Sequence, residues 1–378
     1  MSGPESPLQG GRLQAGRLQA RLLRRIAAEG PLTVAQFMVA ALLDPQDGYY
    51  TRAAPLGDEA GAGGDFVTAP EVSQVFGELL GLWCLEAWQR LGEPTNFKLI
   101  ELGPGRGTLM VDLLRSLALL PACRVAAQVH LVEASPRLTA IQRQTLVGQE
   151  IAWHRSLAEV PPGPCLLIAN ELFDALPLRQ FEKSPEGWRE RLVARDGREG
   201  LTFALSGALP ARLLPPAATQ APEGAVLEIS PAATALAQEL GTRLADHPAC
   251  ALILDYGYRQ RPWKGSLQAV AGHRRVAPLQ SPGRVDLSAQ VDFAALAAAA
   301  QAAGAESHGP VSQRQLLLAL GLAERAASLQ QGLSVEAAAR VEAACRRLVD
   351  PEAMGESFLA LALQSPGLET PAGFPLPD

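Results

Sequence analysis

A strand-like run, "FKLIEL" (97–102), passes directly into "GPGRG" (103–107) and then into a helical pattern, "TLMVDLLRSLALL". Glycines at alternate positions between a buried strand and a helix leave backbone free to take positive φ and to let a ligand approach closely. A strand–turn–helix junction of this kind opens a parallel α/β sheet, and the rhythm downstream agrees. "QVHLVE", "IAWH", "CLLIAN" and "ALILDYG" are short apolar runs, and helical patterns such as "SPRLTAIQRQTLV" and "ATALAQELGTRLADH" lie between them. Strands buried on both faces and alternating with helices predict an α/β, Rossmann-like core.

The core is decorated. Residues 1–95 read as an N-terminal helical cover ending in a Gly-rich loop, and 96–177 as the first part of the core. Residues 178–232 ("WRERLVARDG", "GLTFAL", "AVLEIS") read as a β-rich insertion, 233–310 as the second part of the core with a substrate loop, and 311–378 as a helical C-terminal extension with a Pro-rich tail. In "TAPEVSQVFGELLGLWCLEAWQRLG", Thr68 precedes Glu71 by three residues with Pro70 between them, so a capping box and one helix running to Gly92 are expected. Asp292 is expected to cap the helix "FAALAAAAQAAG". The Arg-rich "GRLQAGRLQARLLRRIAAEG" reads as an amphipathic helix or tail in preference to a mitochondrial presequence, because its helical pattern continues into "IAAEGPLTVAQFMVAALLD". No secretory signal is read in it.

Composition removes several function classes. No apolar run reaches about 18 residues, so no membrane span is expected. The five cysteines are scattered without a C-x-x-C pair, and the five histidines do not pair at ligand spacing, so neither a disulfide frame nor a metal site is expected. With a net charge of −6 and only three lysines (Lys98, Lys183, Lys264), the chain has no broad footprint for nucleic acid.

The glycine loop discriminates among ligands. A nucleoside triphosphate needs a lysine in or just after the loop, and none is present. A dinucleotide needs G-x-G-x-x-G, but the third position is Thr108 counted from Gly103 and Met110 counted from Gly105. S-adenosylmethionine carries an ammonium, a carboxylate, a sulfonium and a ribose diol instead of phosphates. Glu101 at the strand end suits the ammonium, Gly103 and Gly105 allow close approach, and the helix N-terminus suits the carboxylate. Glu133, ending "HLVE", can take both ribose hydroxyls, as acids do in NAD enzymes too. Glu101 separates the two cases, since an anion there would repel a pyrophosphate. Truncating one side of a desolvated pair of this kind costs about 2–5 kcal/mol.

A second constellation ends the fourth core strand. Asn170, Glu171 and Asp174 in "CLLIANELFDALP" fall where a methyl acceptor would lie. Nucleic-acid amino-methyltransferases carry Asn/Asp-Pro-Pro-aromatic here, and this chain does not. Paired carboxylates suit a guanidinium, whose planar fork of donors matches them. Asn170 and Asp174 would serve equally as helix caps. Asp65 in the Gly-rich loop, Asp255 in "ILDYG", and Gln268, His273 and Asp286 in a long polar loop are weaker candidates. Trp153 and Trp188 read as packing residues.

Together, "GGDFVTAPEVSQVFGELLGLW", "LIELGPGRGTLMVDLLR", "LVEASPRL", "IANELFDALPLRQF", "LILDYG", "SLQAV" and "PGRVDLSAQVDFAALA" resemble, in order and spacing, the MidA-like proteins, whose mitochondrial members are respiratory complex I assembly factor seven. The resemblance runs from about residue 25 to 362. It implies an S-adenosylmethionine-dependent methyltransferase fold and symmetric dimethylation of an arginine in the 49-kDa-type NADH dehydrogenase subunit. The family's cofactor motif falls on Glu101, Gly103, Gly105 and Gly107, and its acceptor motif on Asn170, Glu171 and Asp174. Gln290 stands where the family has histidine, Gly265 where it has aspartate and Leu172 where it has an aromatic. The Arg- and Ala-heavy composition points to a GC-rich bacterial source and so to the cytoplasm, with the mitochondrial matrix as the equivalent for eukaryotic relatives. A homodimer stays open, as do a non-catalytic assembly chaperone that retains the cofactor fold and a methyltransferase acting on another protein or a small molecule.

Overall fold

The computed structural model describes residues 7–52, 68–197, 200–210 and 213–375; Asp65 lies outside them. Seven strands form the main sheet: β1 Phe97–Leu102, β2 Ala127–Val132, β3 Ile151–His154, β4 Cys165–Asn170, β5 Ala249–Tyr258, β6 Glu306–Ser312 and β7 Phe358–Gln364. Their spatial order is 3-2-1-4-5-7-6. β1 to β5 run parallel, and β7 is antiparallel to both its neighbours. The two-residue strand Val291–Asp292 adds in parallel to the end of β5.

Successive side chains of a strand point to opposite faces, so a strand covered on both sides must be apolar throughout. Leu99 packs with Leu166, Ile168, Leu252 and the helices Gln74–Arg90 and Thr108–Leu117. Its neighbour Ile100 packs with Leu167, Ala251, Ile253 and the helices Pro231–Asp246 and Phe293–Ala302. Asp292 caps the last of these as expected, accepting from the Ala295 amide at 3.1 Å.

The expected single helix from Thr68 is two. Ser73 is extended (φ −162°, ψ 135°), ending a short helix Ala69–Val72, and its hydroxyl caps the longer Gln74–Arg90 by accepting from the Val75 amide. Thr68 makes no side-chain cap, and Glu71 accepts instead from the Thr108 hydroxyl at 2.6 Å, tying the short helix to the turn after β1.

The segment after residue 311, expected to be helical, is only partly so. Helices Gln313–Ala319, Leu322–Gln330 and Val335–Val349 are there, but "FLALALQ" is β7, inserted between β5 and β6. The helices are anchored by Glu78, 4 % exposed, which accepts from Arg325 Nε at 2.7 Å and from Arg115 Nη1 at 3.2 Å. Strands Arg179–Ser184, Gly187–Arg195, Leu201–Leu209 and Val226–Ile229 form an antiparallel sheet that Leu32–Thr33 joins from the N-terminal side. The Arg-rich N-terminal helix Pro7–Glu29 is docked: Leu18, Leu22 and Ile26 pack with Phe37 and Met38, and Arg21 bridges Asp44 and Asp47. Among the described residues, no helix is long and apolar enough to cross a membrane.

Candidate active site

The chain leaves β1 toward one face of the sheet and β4 toward the other, and β1 and β4 are neighbours. Between them the strand order reverses, which opens a crevice at their carboxyl ends. Strand register brings those ends into line. Leu102 pairs with Val132 and with Ala169, and Asn170 pairs with Leu254. Gly103, Glu133 and Glu171, each just past the end of its strand, and Asp255 within β5 therefore line up at one edge across four adjacent strands. A cavity of about 380 Å³ lies there, and Glu101, Gly103, Gly105, Glu133, Asn170 and Glu171 line it. Gly107 and Asp174, also expected in the site, do not line it.

Gly103 and Gly105 adopt φ of +63° and +53°, where an L side chain is strained, and a Cβ on Gly103 would stand 2.8 Å from Leu172 Cδ1. Gly107 is the N-cap of Thr108–Leu117 at φ +86° and supplies no side-chain cap. Thr108 and Leu109, in the first turn of that helix, line the cavity, and no side chain caps the helix end, an arrangement suited to a carboxylate.

Glu101 is 2 % exposed, and its Oε2 has no hydrogen-bond partner. Burial, with a smaller push from Glu133, raises its pKa to about 8. A carboxyl so placed is short of a cation. Glu133 is held more firmly: Oε1 accepts from the Ser135 amide at 2.7 Å and Oε2 from Gln142 Nε2 at 3.2 Å. Burial still carries its pKa up to about 7. Gln142, fully buried, also donates to the Gly105 carbonyl at 2.9 Å and accepts from Trp153 Nε1 at 3.1 Å. Trp153 is thus more than packing, because it fixes the amide that ties the glycine loop to Glu133. Sequence reasoning missed Gln142, since a glutamine inside an amphipathic helix carries no signal of its own.

Glu171 sits at φ +50°, uncommon for a residue with a side chain. Its Oε1 accepts from the Ala69 amide at 2.8 Å and from Asn170 Nδ2 at 3.2 Å, which leaves Asn170 Oδ1, in a residue 8 % exposed, without a partner. Burial lifts Glu171 to about 7. Asp255 is fully buried behind the cavity. Its Oδ2 accepts from the amides of Phe173 (2.8 Å) and Asp174 (3.1 Å), so it shapes the "NELFDA" turn from beneath, and burial with the Glu171 charge carries it to about 8. Asp174 lies in the short turn Phe173–Ala175; burial, then Asp255, Asp286 and Glu171, push its pKa far up. Tyr50, another residue not expected from sequence, lines the cavity and donates to Asp286 Oδ1 at 3.0 Å.

The remaining candidates are dispersed. Gln268 Nε2 donates to the Tyr256 hydroxyl at 3.0 Å, outside the cavity wall. His273 is at an exposed hairpin tip, and Trp188 packs with Phe181 and Leu227. Of the family departures, Leu172 lines the cavity, whereas Gln290 is exposed and Gly265 lies against Gln180 and Val226. Among the described residues, no three His, Cys, Asp or Glu side chains are placed to hold a metal ion.

Comparison with known proteins places this arrangement. The family described as "Putative S-adenosyl-L-methionine-dependent methyltransferase" matches residues 79–311. The mouse "Protein arginine methyltransferase NDUFAF7, mitochondrial" is 37% identical over 373 residues, covering 90% of this chain and 83% of that protein; the zebrafish (Danio rerio) protein of the same name is 35% identical over 364 residues, covering 89% and 84%. A Burkholderia thailandensis protein crystallised with S-adenosyl-homocysteine superposes with a TM-score of 0.83 at 29% identity, over 99% of this chain and 97% of that one. The orphaned Glu101 oxygen and the uncapped helix end fit the ammonium and carboxylate of that cofactor type. The chain belongs to the MidA-like/NDUFAF7 family of S-adenosylmethionine-dependent methyltransferases.

Proposed function

We propose that this protein methylates the guanidinium of an arginine in a partner protein, to the symmetric dimethyl product. The proposed substrate is a 49-kDa-type NADH dehydrogenase subunit, the setting is complex I assembly, and the compartment is the cytoplasm of a bacterium. The observation that carries the reading is a cluster of three carboxyls, the half-buried Glu171 and Asp174 just past β4 and the buried Asp255 on the adjacent β5. Among the described residues, no lysine or arginine forms an ion pair with any of them. A guanidinium brings five donors in a plane and the charge these acids lack. A neutral or anionic acceptor would offer these carboxyls no reason to give up their protons. Relatives named as protein arginine methyltransferases support the same acceptor class.

In this reading Glu101 takes the cofactor's ammonium, Glu133 its ribose hydroxyls, and the loop of Gly103, Gly105 and Gly107 with the helix end behind it its carboxylate. Bound there, S-adenosylmethionine supplies a methyl group on a positively charged sulfur. The protein's own work is orientation and exclusion of water. Glu171 Oε1 is occupied by Ala69 and Asn170, so Oε2 is the oxygen that receives an acceptor N–H. With a pKa near 7, Glu171 can take the proton that the guanidinium nitrogen sheds on gaining a carbon, and return it to solvent. Asp174, three residues further along and under the influence of Asp255 and Asp286, keeps its proton when no cation is bound; a bound cation would draw that proton off and be held by the carboxylate left behind.

The test is transfer of labelled methyl from S-adenosylmethionine into an extract of a strain lacking this protein, with wild type compared to Glu171→Ala. Label in one protein, recovered as dimethylarginine and lost in the variant, is the expected result. Label recovered on another residue type overturns the arginine reading. Absence of label despite cofactor binding favours an assembly chaperone.

A further inference from the structure

The three-stranded sheet of Gln268–Ala271, Arg274–Val276 and Asp286–Ser288 stands beside the acid cluster. Val270 pairs with Asp286 on one side and with Arg275 on the other, and Gln268 pairs with Ser288. Directly opposed residues of antiparallel strands share a face. Asp286, Val270 and Arg275 therefore form one row, and Ser288 and Gln268 a second row on the same face. That face is turned toward the site: Asp286 accepts from Tyr50, and Ser288 and Gln268 both meet the Tyr256 hydroxyl. The other face, with Ala269 and Leu287, is buried in the N-terminal cluster.

The outer end of this sheet is a tight hairpin. Ala271 pairs with Arg274, so only Gly272 and His273 make the turn, at φ +55° and +61°. Two successive positive φ values match the twist of the flanking strands and make a stiff projection. It presents His273, Arg274 and Arg275 to solvent. Among the described residues, neither Arg274 nor Arg275 forms an ion pair with a carboxylate, and both are exposed. In a chain of net charge −6, this is a local positive edge. With strands about 4.8 Å apart, Arg275 lies about 10 Å from Asp286 along the row, the length of about three residues of extended peptide.

We propose that the hairpin selects substrate through an acidic residue a few positions from the target arginine, with Arg275 as its reader. The inference rests on the arginine-acceptor reading above and adds a sequence requirement to it. An arginine held at Glu171 and Asp174 places its neighbours along the Asp286–Val270–Arg275 row, where a substrate carboxylate meets a guanidinium fork and a substrate lysine meets repulsion.

The experiment uses the full-length protein and short peptides with one central arginine and Asp, Ala or Lys at successive flanking positions. For the wild type, kcat/KM is expected to be about 2- to 5-fold higher with an acidic flank than with alanine, as for an exposed pair, and to lose that advantage at high salt. Arg275→Gln should abolish the ratio, and Arg275→Glu should invert it in favour of lysine. Each variant's affinity for S-adenosylhomocysteine checks its fold, and the ratio within one variant is independent of its overall activity. Arginine methylation without any flank preference, or a preference unchanged in Arg275→Glu, overturns the inference and leaves the arginine reading standing. Failure to methylate any arginine peptide while the cofactor product still binds overturns both.

Discussion

Replacing Glu101 with glutamine keeps the side chain's shape and removes its charge, with consequences for binding and for stability that differ in sign. In the ligand-free protein the Glu101 carboxyl is 2 % exposed with one oxygen unpartnered, and its pKa is raised by burial, then by Glu133, from 4.5 to about 8. The folded chain therefore keeps a proton that the unfolded chain releases. Stability falls as pH rises between these two values and levels off above the higher one. At about 1.4 kcal/mol per unit the shift has a ceiling of about 5 kcal/mol, and relaxation around the charge leaves on the order of 2 kcal/mol. Glutamine abolishes this component of the pH slope, so thermal melts from pH 5.5 to 8.5 should show a shallower decline in the variant than in wild type. Binding moves the other way. An ammonium restores a partner to the ionised carboxylate, and removing that carboxylate costs about 2–5 kcal/mol, a loss of affinity of about 30-fold or more. Wild type should also release close to one proton per S-adenosylhomocysteine bound near pH 7, read by calorimetry in buffers of different ionisation enthalpy, and the variant much less. A variant that binds within about threefold of wild type and releases the same proton would refute the assignment of Glu101 to the ammonium.

Further outcomes rest on the same geometry. Trp153→Phe removes the donor to Gln142 Oε1 and loosens Glu133, so KM for S-adenosylmethionine should rise about 3- to 10-fold with kcat little changed, a split that steady-state kinetics resolves. Gly103→Ala combines left-handed backbone strain of about 1–2 kcal/mol with a contact on Leu172, and should weaken cofactor binding in calorimetric titration. Glu171→Gln leaves no group at that position to take a proton. The rise in kcat/KM through the free-enzyme Glu171 pKa near 7 should therefore disappear from the pH profile together with most of the rate, about 100-fold or more. Arg325→Ala leaves Glu78 with Arg115 as its remaining guanidinium partner and should cost about 1–3 kcal/mol in denaturant unfolding.

How far the chain can be read depends on how local each signal is. The strand–glycine–helix junction at 97–117 and the acids ending β1, β2 and β4 are legible because parallel strands expose only their carboxyl ends to the crevice, so a charged residue there stands out against an apolar run. "FLALALQ" reads wrongly as helix because a short apolar run fits either element, and only its pairing with β5 and β6 decides. The capping box at Thr68 fails because Glu71 finds a tertiary partner in Thr108. Tyr50 and Gln142 are invisible for a related reason: their roles exist only through Asp286 and Glu133, distant in sequence or unremarkable in pattern.

The most direct test of the account is a crystal structure with S-adenosylhomocysteine and an arginine peptide bound together. The account predicts the amino group of the product on Glu101, the ribose diol on Glu133, and the peptide guanidinium on Glu171 Oε2 beside Asp174. A guanidinium bound away from these carboxyls, or a cofactor whose amino group faces any group other than Glu101, would contradict it.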